Sequence, residues 1–484
     1  MSKRVLLAIP PRIQDDFGFT PAGASQIKGS LVEAGYKCKV MDLNREVDIL
    51  YKDNLDILVP LENWFMNYNF YSKKIYKLVN MLMDNWSDEI LAWNPEYVGI
   101  SVFSYNNQRA TRLLAIYLKS KNPKLNIVIG GSGINTDFTF AETLLEEKII
   151  NGYIRGEGEL ATVEYLKGNL DAPGINGNPR QQIDDIDGLA YPDYSDYELQ
   201  NYTNKKGLIA IPITGSRGCV RACTFCDIAS MWPAYRFRSG KSIANEMKHQ
   251  METYGATAFR FTDSLTNGSM KAFRSMTAEL TEYRKNLPEH RKFIWDGHFI
   301  VRSKRQMPPE DFVAMGQSGA GTLWLGIESG SHKVRTDMKK GYTDEDLHYS
   351  LMEIFKNNIK VRVLNIIGYP TETKEDFQLT LDFFDRYAEY GRNGLIEEVN
   401  LGLTLNLLPN TPLYDNAEHY GLETTKEHIN DWICVDNPTL DFKERLRRRI
   451  QAQYHVEKLG YKVYETKNYT RALNIAWTEV VNLS

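Results

Sequence analysis

Short apolar runs alternate with helical periodicity along the first third of the chain. "RVLLAIP" (4–10) is a continuous apolar run, and 22–34 carries apolar residues at helical spacing between glycines. "KCKVMDL" reads as a second strand, and "YVGISVFS" (97–104), "LNIVIGG" (125–131) and "NGYIRGEGE" (151–159) supply three more. Five strands separated by helices predict parallel crossover units in a small doubly wound sheet. Ligands of such sheets sit at the carboxyl ends of the strands, here Pro10, Pro11, 101–104, Gly130, Gly131 and Gly156. An aromatic-rich helical insertion at 47–94 reads as a packing surface or a lid. The stretch 171–207, rich in Gly, Pro, Asp and Asn, has no sustained period and reads as a linker.

Strand signals resume at 208–214, 258–264, 292–297, 322–329, 360–368 and 398–406, each followed by a helical pattern. Six such units in a row predict most of a parallel barrel, with chemistry expected at the carboxyl ends of its strands. From about Asp415 the pattern turns mostly helical. The expected domains are therefore a doubly wound domain at 1–170, a linker at 171–205, a partial (β/α)6 barrel at 206–414 and a helical appendage at 415–484.

Composition narrows the function classes. A chain of 484 residues exceeds one core, and 42% hydrophobic with 25% charged residues is the balance of a soluble globular protein. A formal net charge of -4 offers no global attraction to nucleic acid or anionic lipid. The basic run "KERLRRRIQ" (443–451) lies in a helical pattern and reads as a solvated face ahead of a phosphate site. No charged start precedes an apolar stretch, and no run is long enough to span a membrane. The expected compartment is the cytoplasm, where thiols stay reduced. Cys38 and Cys434 read as small residues in a strand and a helix.

The other three of five cysteines crowd into "GCVRACTFC" as Cys219, Cys223 and Cys226, directly after the first barrel strand. One helical face would sit poorly behind Gly215 and Gly218. A structural zinc site wants four ligands, usually in two distant pairs, and no second pair exists. A [4Fe-4S] cluster normally takes four thiolates; three leave one iron free to bind a small molecule.

At these residues the chain resembles the radical S-adenosylmethionine (SAM) superfamily, whose motif spaces three cysteines by three and then two residues, with an aromatic before the last. Phe225 fills that aromatic position. The resemblance implies a TIM-like partial barrel and SAM chelated by the open iron. Cleavage would yield methionine and a hydrogen-abstracting 5′-deoxyadenosyl radical, with the electron from an external donor such as flavodoxin or ferredoxin. It also implies roles for later strand ends: Asp263 and Ser264 near the SAM amine, Glu328 and Ser329 near the ribose and methionine, Arg362 as a carboxylate partner, Ile367 and Gly368 under the adenine. Trp232, Tyr235 and His298 lie near predicted loop positions where a substrate could reach them, although packing explains each as well.

The N-terminal domain resembles the flavodoxin-like cobalamin-binding domain of one radical SAM subfamily. Its usual histidine is missing from "PPRIQDDFGF", and the first histidine in the chain is His249. Ser101 and Phe103 stand where Ser-x-Leu is expected, and Gly130 with Gly131 follows at similar spacing; Gly156 closes the set. The subfamily implies methyl transfer to an unactivated carbon of an unknown substrate. The alternatives are a SAM-cleaving enzyme without cobalamin, catalysing dehydrogenation, rearrangement or carbon–carbon bond formation, and a non-enzymatic iron–sulfur regulator. Transfer-RNA methylthiolation is disfavoured, because it would want three further cysteines where only Cys38 stands.

Overall fold

A computed structural model describes residues 3–12, 19–66, 70–424 and 432–464. The loop from which the subfamily's usual histidine is missing lies mostly at 13–18, outside the described residues. The chain divides into two compact units, 1–212 with Glu252–Gly255, and the remainder.

The first unit is built on β1 (Arg4–Ile9), β2 (Lys37–Asp42), β3 (Tyr97–Ser101), β4 (Asn126–Gly130) and β5 (Gly152–Ile154). All pairs are parallel and the order is β2-β1-β3-β4-β5. That order reverses between β1 and β3, which opens a crevice at their carboxyl ends. Alternation along the strands splits the core in two. Leu6, Ala8, Val98, Ile100, Ile127 and Ile129 face one side. Val5, Leu7, Ile9, Val40 and Val128 face the other.

The insertion packs on the first side. Its helices Leu43–Tyr51, Leu55–Met66 and Lys73–Ala92 bury Leu61, Trp64, Val79, Met83 and Trp86 in the same cluster as Leu6. Each such side chain contributes about 1.5–3 kcal/mol on burial. The stretch read as a linker is not a free tether. Lys28, 2% exposed, sits between Asp193 at 3.1 Å and Asp196 at 2.6 Å, and Asp193 N donates to Ser25 O. Its polar composition, which reads as loop, satisfies a buried ammonium.

The boundary after Pro212 falls within β6 (Ala210–Ile213); beyond it come a short antiparallel pair of β7 (Ser216–Arg217) and β8 (Arg236–Phe237), then β9 (Ala258–Phe261), β10 (Ile294–Phe299), β11 (Ala320–Glu328), β12 (Lys360–Asn365) and β13 (Ile396–Asn400). Six of them form one sheet in chain order, β6-β9-β10-β11-β12-β13. Outward residues such as Phe259, Trp295, Leu323, Leu325, Val361 and Val363 are buried. The inward face is polar. Arg260 on β9 lies 4.5 Å from the ring of Trp324 on β11, and Arg362 on β12 lies 5.1 Å from it. Since β10 separates β9 from β11, the first of these contacts crosses the concave side of the sheet. Full barrels fill that space with branched apolar layers; this one lines it with charge.

Beyond β13 the region expected to be mostly helical also contains strands. β14 (Leu422–Thr424) and β15 (Trp432–Cys434) pair antiparallel, so Cys434 lies in a strand and not a helix. The helix Phe442–Lys458 follows. Its basic run is not a solvated face: Arg445, Arg448 and Arg449 are buried. Arg445 lies 3.7 Å from the Trp432 ring and donates to Trp432 O and Leu440 O, while Arg449 donates to Gly402 O. Backbone carbonyls meet the charges, from Leu440 nearby in sequence to Gly402 far from it. No described helix is long and apolar enough to cross a membrane.

Candidate functional site

The cysteine loop leaves β6 through Thr214 and Gly215 and is anchored from several sides. Gly215 N donates to Asp263 Oδ1 at 2.7 Å, and Ser216 Oγ donates to Oδ2 at 2.6 Å. Gly218 turns the chain at φ +88°; a Cβ there would lie 2.9 Å from Ala234 O, so β7 and β8 could not close over it with any other residue. Thr224, fully buried, donates its N–H to Met338 O and accepts from Leu413 N at 2.7 Å. Its hydroxyl also meets that of Tyr369.

Within this frame Cys219, Cys223 and Cys226 are free thiols of intermediate exposure. Arg221 N donates to Cys219 Sγ at 3.4 Å. Burial pushes the Cys226 thiol up to about 11, against a hydrogen bond from the Ile228 backbone and with a contribution from the other two cysteines. Burial raises Cys223 as well, and Lys340 opposes it. Among the described residues no three His, Cys, Asp or Glu side chains gather as ligands of a single ion. The donor set is three thiols close enough to influence one another, on a glycine-bounded loop. It fits a cluster, whose irons each take one thiolate.

Asp263 is 3% exposed, and burial pushes its carboxyl up to about 7 against the Ser216 and Gly215 hydrogen bonds. Both its oxygens hold the cysteine loop, so it acts as the loop's anchor. Ser264 beside it is half-buried. Glu328, at the end of β11, adopts φ +67°, which is strained for a residue with a side chain. Its Oε1 lies 2.9 Å from Lys340 Nζ, and both side chains are nearly buried.

Lys340 is the functional candidate that the sequence did not disclose. It lies 6.0 Å from the Phe225 ring and bears on Cys223. Twelve residues past Glu328, and beyond the helix His332–Asp337, it carries no local signal. Arg362, the expected carboxylate partner, sits mid-strand and is neutralised by Glu397 at 2.9 Å and Glu398 at 3.4 Å. Ser329 is turned away: its hydroxyl faces Thr380 on the helix Lys374–Arg386, and its carbonyl accepts from Arg335. The structure thus groups Phe225, Glu328 and Lys340 beside the cysteines and leaves Arg362 and Ser329 outside.

Ile367 is buried, and Gly368 turns at φ +79°. The helix after them starts at a capping box in which Thr373 and Asp376 exchange hydrogen bonds. Trp232 lies under two guanidiniums, Arg217 at 5.8 Å and Arg236 at 5.7 Å. Tyr235 stacks on Phe237 at 5.8 Å. His298 opens to the barrel's concave face beside Trp324, with ring centroids 5.6 Å apart; desolvation by the surrounding protein lowers its pKa, and the Arg260 charge adds to this.

In the first unit the carboxyl ends of β1 and β3 present Arg12 over the Phe103 ring at 4.0 Å, with Phe103 half exposed and Tyr105 more so. Ser101 O accepts from Asn107 Nδ2. At Gly131 (φ +115°) a Cβ would lie 2.5 Å from Val102 O, while Gly130 has only ordinary contacts to Ile154. The missing side chain at Gly131 is thus taken up by the protein's own backbone. Gly156 (φ +91°) donates its N–H to Asn135 Oδ1 at 2.5 Å, and Arg155 lies 4.1 Å from the Phe138 ring.

The profile of the radical SAM superfamily matches residues 213–384. The chain is similar to a provisionally assigned methylthiotransferase of Methanocaldococcus jannaschii, 29% identical over 51% of this chain and 55% of the relative. It is similar also to the anaerobic magnesium-protoporphyrin IX monomethyl ester cyclase of Rubrivivax gelatinosus, 25% identical over 61% of this chain and 55% of the relative. The chain therefore spans about half the length of both relatives. In fold it resembles the radical S-adenosylmethionine methyltransferase TsrM from Kitasatospora setae, solved with cobalamin and a [4Fe-4S] cluster bound. The TM-score is 0.63 at 17% identity, covering 88% of this chain and 78% of TsrM.

Proposed function

We propose that this chain, a radical SAM enzyme by its domain at 213–384, cleaves SAM at a [4Fe-4S] cluster held by Cys219, Cys223 and Cys226. We further propose that it uses cobalamin on the N-terminal sheet to methylate an unactivated carbon of its substrate. One observation carries the reading: three thiols share a loop held by Asp263, Met338, Tyr369 and Leu413, and their charged neighbours include Lys340, Glu328, Arg221 and Asp227. A cluster held there by Cys219, Cys223 and Cys226 would supply the single electron that reductive cleavage of SAM to methionine and a 5′-deoxyadenosyl radical requires.

The protein's own residues bind and orient. Phe225 walls the loop, and Ile367 with Gly368 receives the adenine. The Lys340–Glu328 pair complements the zwitterion of the methionine half: the ammonium of Lys340 faces the carboxylate, and Glu328 accepts from the amine or ribose hydroxyls. Ser264 lies near enough along the chain to assist, while Asp263 holds the loop. Arg260, Trp324, His298 and Arg362 line a polar concavity suited to a substrate with planar or charged groups.

Cobalamin is supported by the ligand of TsrM and by Arg12, Phe103 and Tyr105 at the β1/β3 crevice, whose flat apolar rings suit a macrocycle. Ser101, Gly130, Gly131 and Gly156 complete that rim. No histidine precedes His249, so none in the N-terminal unit can ligate cobalt from below. Reduction would come from a flavodoxin or ferredoxin in the reducing cytoplasm. A second reading, SAM cleavage without cobalamin, is favoured by Gly131, whose open side is filled by Val102.

The test is anaerobic. Reconstituted protein receives SAM, hydroxocobalamin, reductant and candidate substrates, and 5′-deoxyadenosine and S-adenosylhomocysteine are quantified. Both products support methyl transfer; deoxyadenosine alone from corrinoid-free protein supports the second reading. Neither product, from protein with an intact cluster, contradicts both.

A further inference from the structure

We propose that Arg448 is a positioning residue for the adenosine half of SAM, acting through Glu372 on the turn that follows β12. The proposal rests on the radical SAM reading above. Gly368 N donates to Glu372 Oε1 at 3.2 Å, and Glu372 N donates to Tyr369 O at 2.8 Å, so the Glu372 carboxylate closes the turn that contains Ile367 and Gly368. Glu372 is 1% exposed and needs a partner for its charge. Arg448, equally buried, supplies it from the helix Phe442–Lys458 at 2.9 Å. The same nitrogen donates to the carbonyls of Glu372 and Thr373 at 3.2 and 3.1 Å, and Arg448 Nε donates to Glu444 at 3.0 Å.

A buried pair adds little net stability, because desolvation offsets attraction. What a guanidinium adds is direction: its planar fork sets Nη1 and Nε at fixed angles toward their acceptors, whereas the donors of an ammonium rotate on a flexible stem. Neighbouring groups extend the same cage. A Cβ on Gly368 would lie 2.6 Å from Arg445 Cγ, and Asn437 Nδ2 donates to Pro370 O and Glu372 O, both at 3.2 Å. Asn437, Arg445 and Arg448 all follow residue 384, where the superfamily match ends. Elements outside that match thus pre-shape the segment assigned to the adenine, and pre-shaping lowers the ordering cost of binding.

The experiment uses the cluster-loaded full chain, anaerobically, with three probes: SAM, 5′-methylthioadenosine and methionine. Arg448→Lys is expected to raise the dissociation constants of SAM and methylthioadenosine together by about tenfold, the scale of one charge-assisted hydrogen bond. Methionine binding, read from the cluster spectrum, and iron content are expected to stay at wild-type values. Glu372→Gln keeps an oxygen for Gly368 N and is expected to shift the same two constants by about threefold; it decides the question if Arg448→Lys fails to take up the cluster. Unchanged SAM affinity, or equal weakening of methionine and nucleoside, overturns the proposal. Wild-type protein that carries the cluster yet binds neither SAM nor methylthioadenosine overturns the radical SAM reading itself.

Discussion

The hydroxyls of Thr224 and Tyr369 lie 2.8 Å apart, joining the residue just after the second cysteine to the turn after β12. Both residues are fully buried, so neither hydroxyl can turn to water instead. The segment assigned to the cluster and the segment assigned to the adenine therefore move together. Tyr369→Phe would leave Thr224 with an unmet hydroxyl at a cost of about 1–3 kcal/mol. Thermal unfolding of the reconstituted protein should show a lowered midpoint, and SAM affinity should fall while iron content holds.

Lys340 and Glu328 form a nearly buried pair at 2.9 Å, with Glu328 in a left-handed conformation. Removing the ammonium strands a buried carboxylate, so Lys340→Met should destabilise the protein by about 3–5 kcal/mol. Lys340→Arg keeps the charge but replaces the compact ammonium with a larger planar guanidinium. It should load the cluster normally and bind SAM about tenfold more weakly, the scale of one charge-assisted contact. Isothermal titration under argon measures both.

Asp263 gives a pH signature with a definite sign. Its carboxyl is raised by burial to about 7 in the folded protein, above that of an unfolded aspartate. Between those values the folded state holds a proton that the unfolded chain releases, so stability falls as pH rises from about 4 through 7. The unfolding free energy of wild type minus that of Asp263→Asn should fall across that window and level off above it, as measured by urea denaturation at a series of pH values.

Phe103 tests the N-terminal sheet separately. Its ring is half exposed beneath Arg12 at 4.0 Å, and nothing in the unit's core depends on it. Phe103→Asp should leave the thermal midpoint within about 1 °C, as expected of a surface change. It should abolish co-elution of hydroxocobalamin on anaerobic gel filtration.

Local signals carried a large part of the architecture. The five-stranded parallel sheet and the six-stranded run follow from apolar strands alternating with helices, since crossovers between parallel strands leave few topologies, whereas the order β2-β1-β3-β4-β5 came only with the structure. The cysteine loop was legible because its spacing is contained in eight residues. What stayed hidden depends on distant partners. Lys340 reaches Cys223 only through the fold of β11 and a short helix. Arg445, Arg448 and Arg449 look solvated in sequence because Trp432 O, Glu372 and Gly402 O, which accept from them, are 13 to 76 residues away. The three-residue strands β14 and β15 are too short for period 2 to register.

The central claim is that three cysteines hold a cluster with one iron left for SAM. Electron paramagnetic resonance of the reduced, reconstituted protein, recorded with and without SAM, tests it most directly. The account predicts a [4Fe-4S]+ signal whose g values shift when SAM is added, and loss of that signal in Cys226→Ser. An intact signal that saturating SAM leaves unchanged would contradict it.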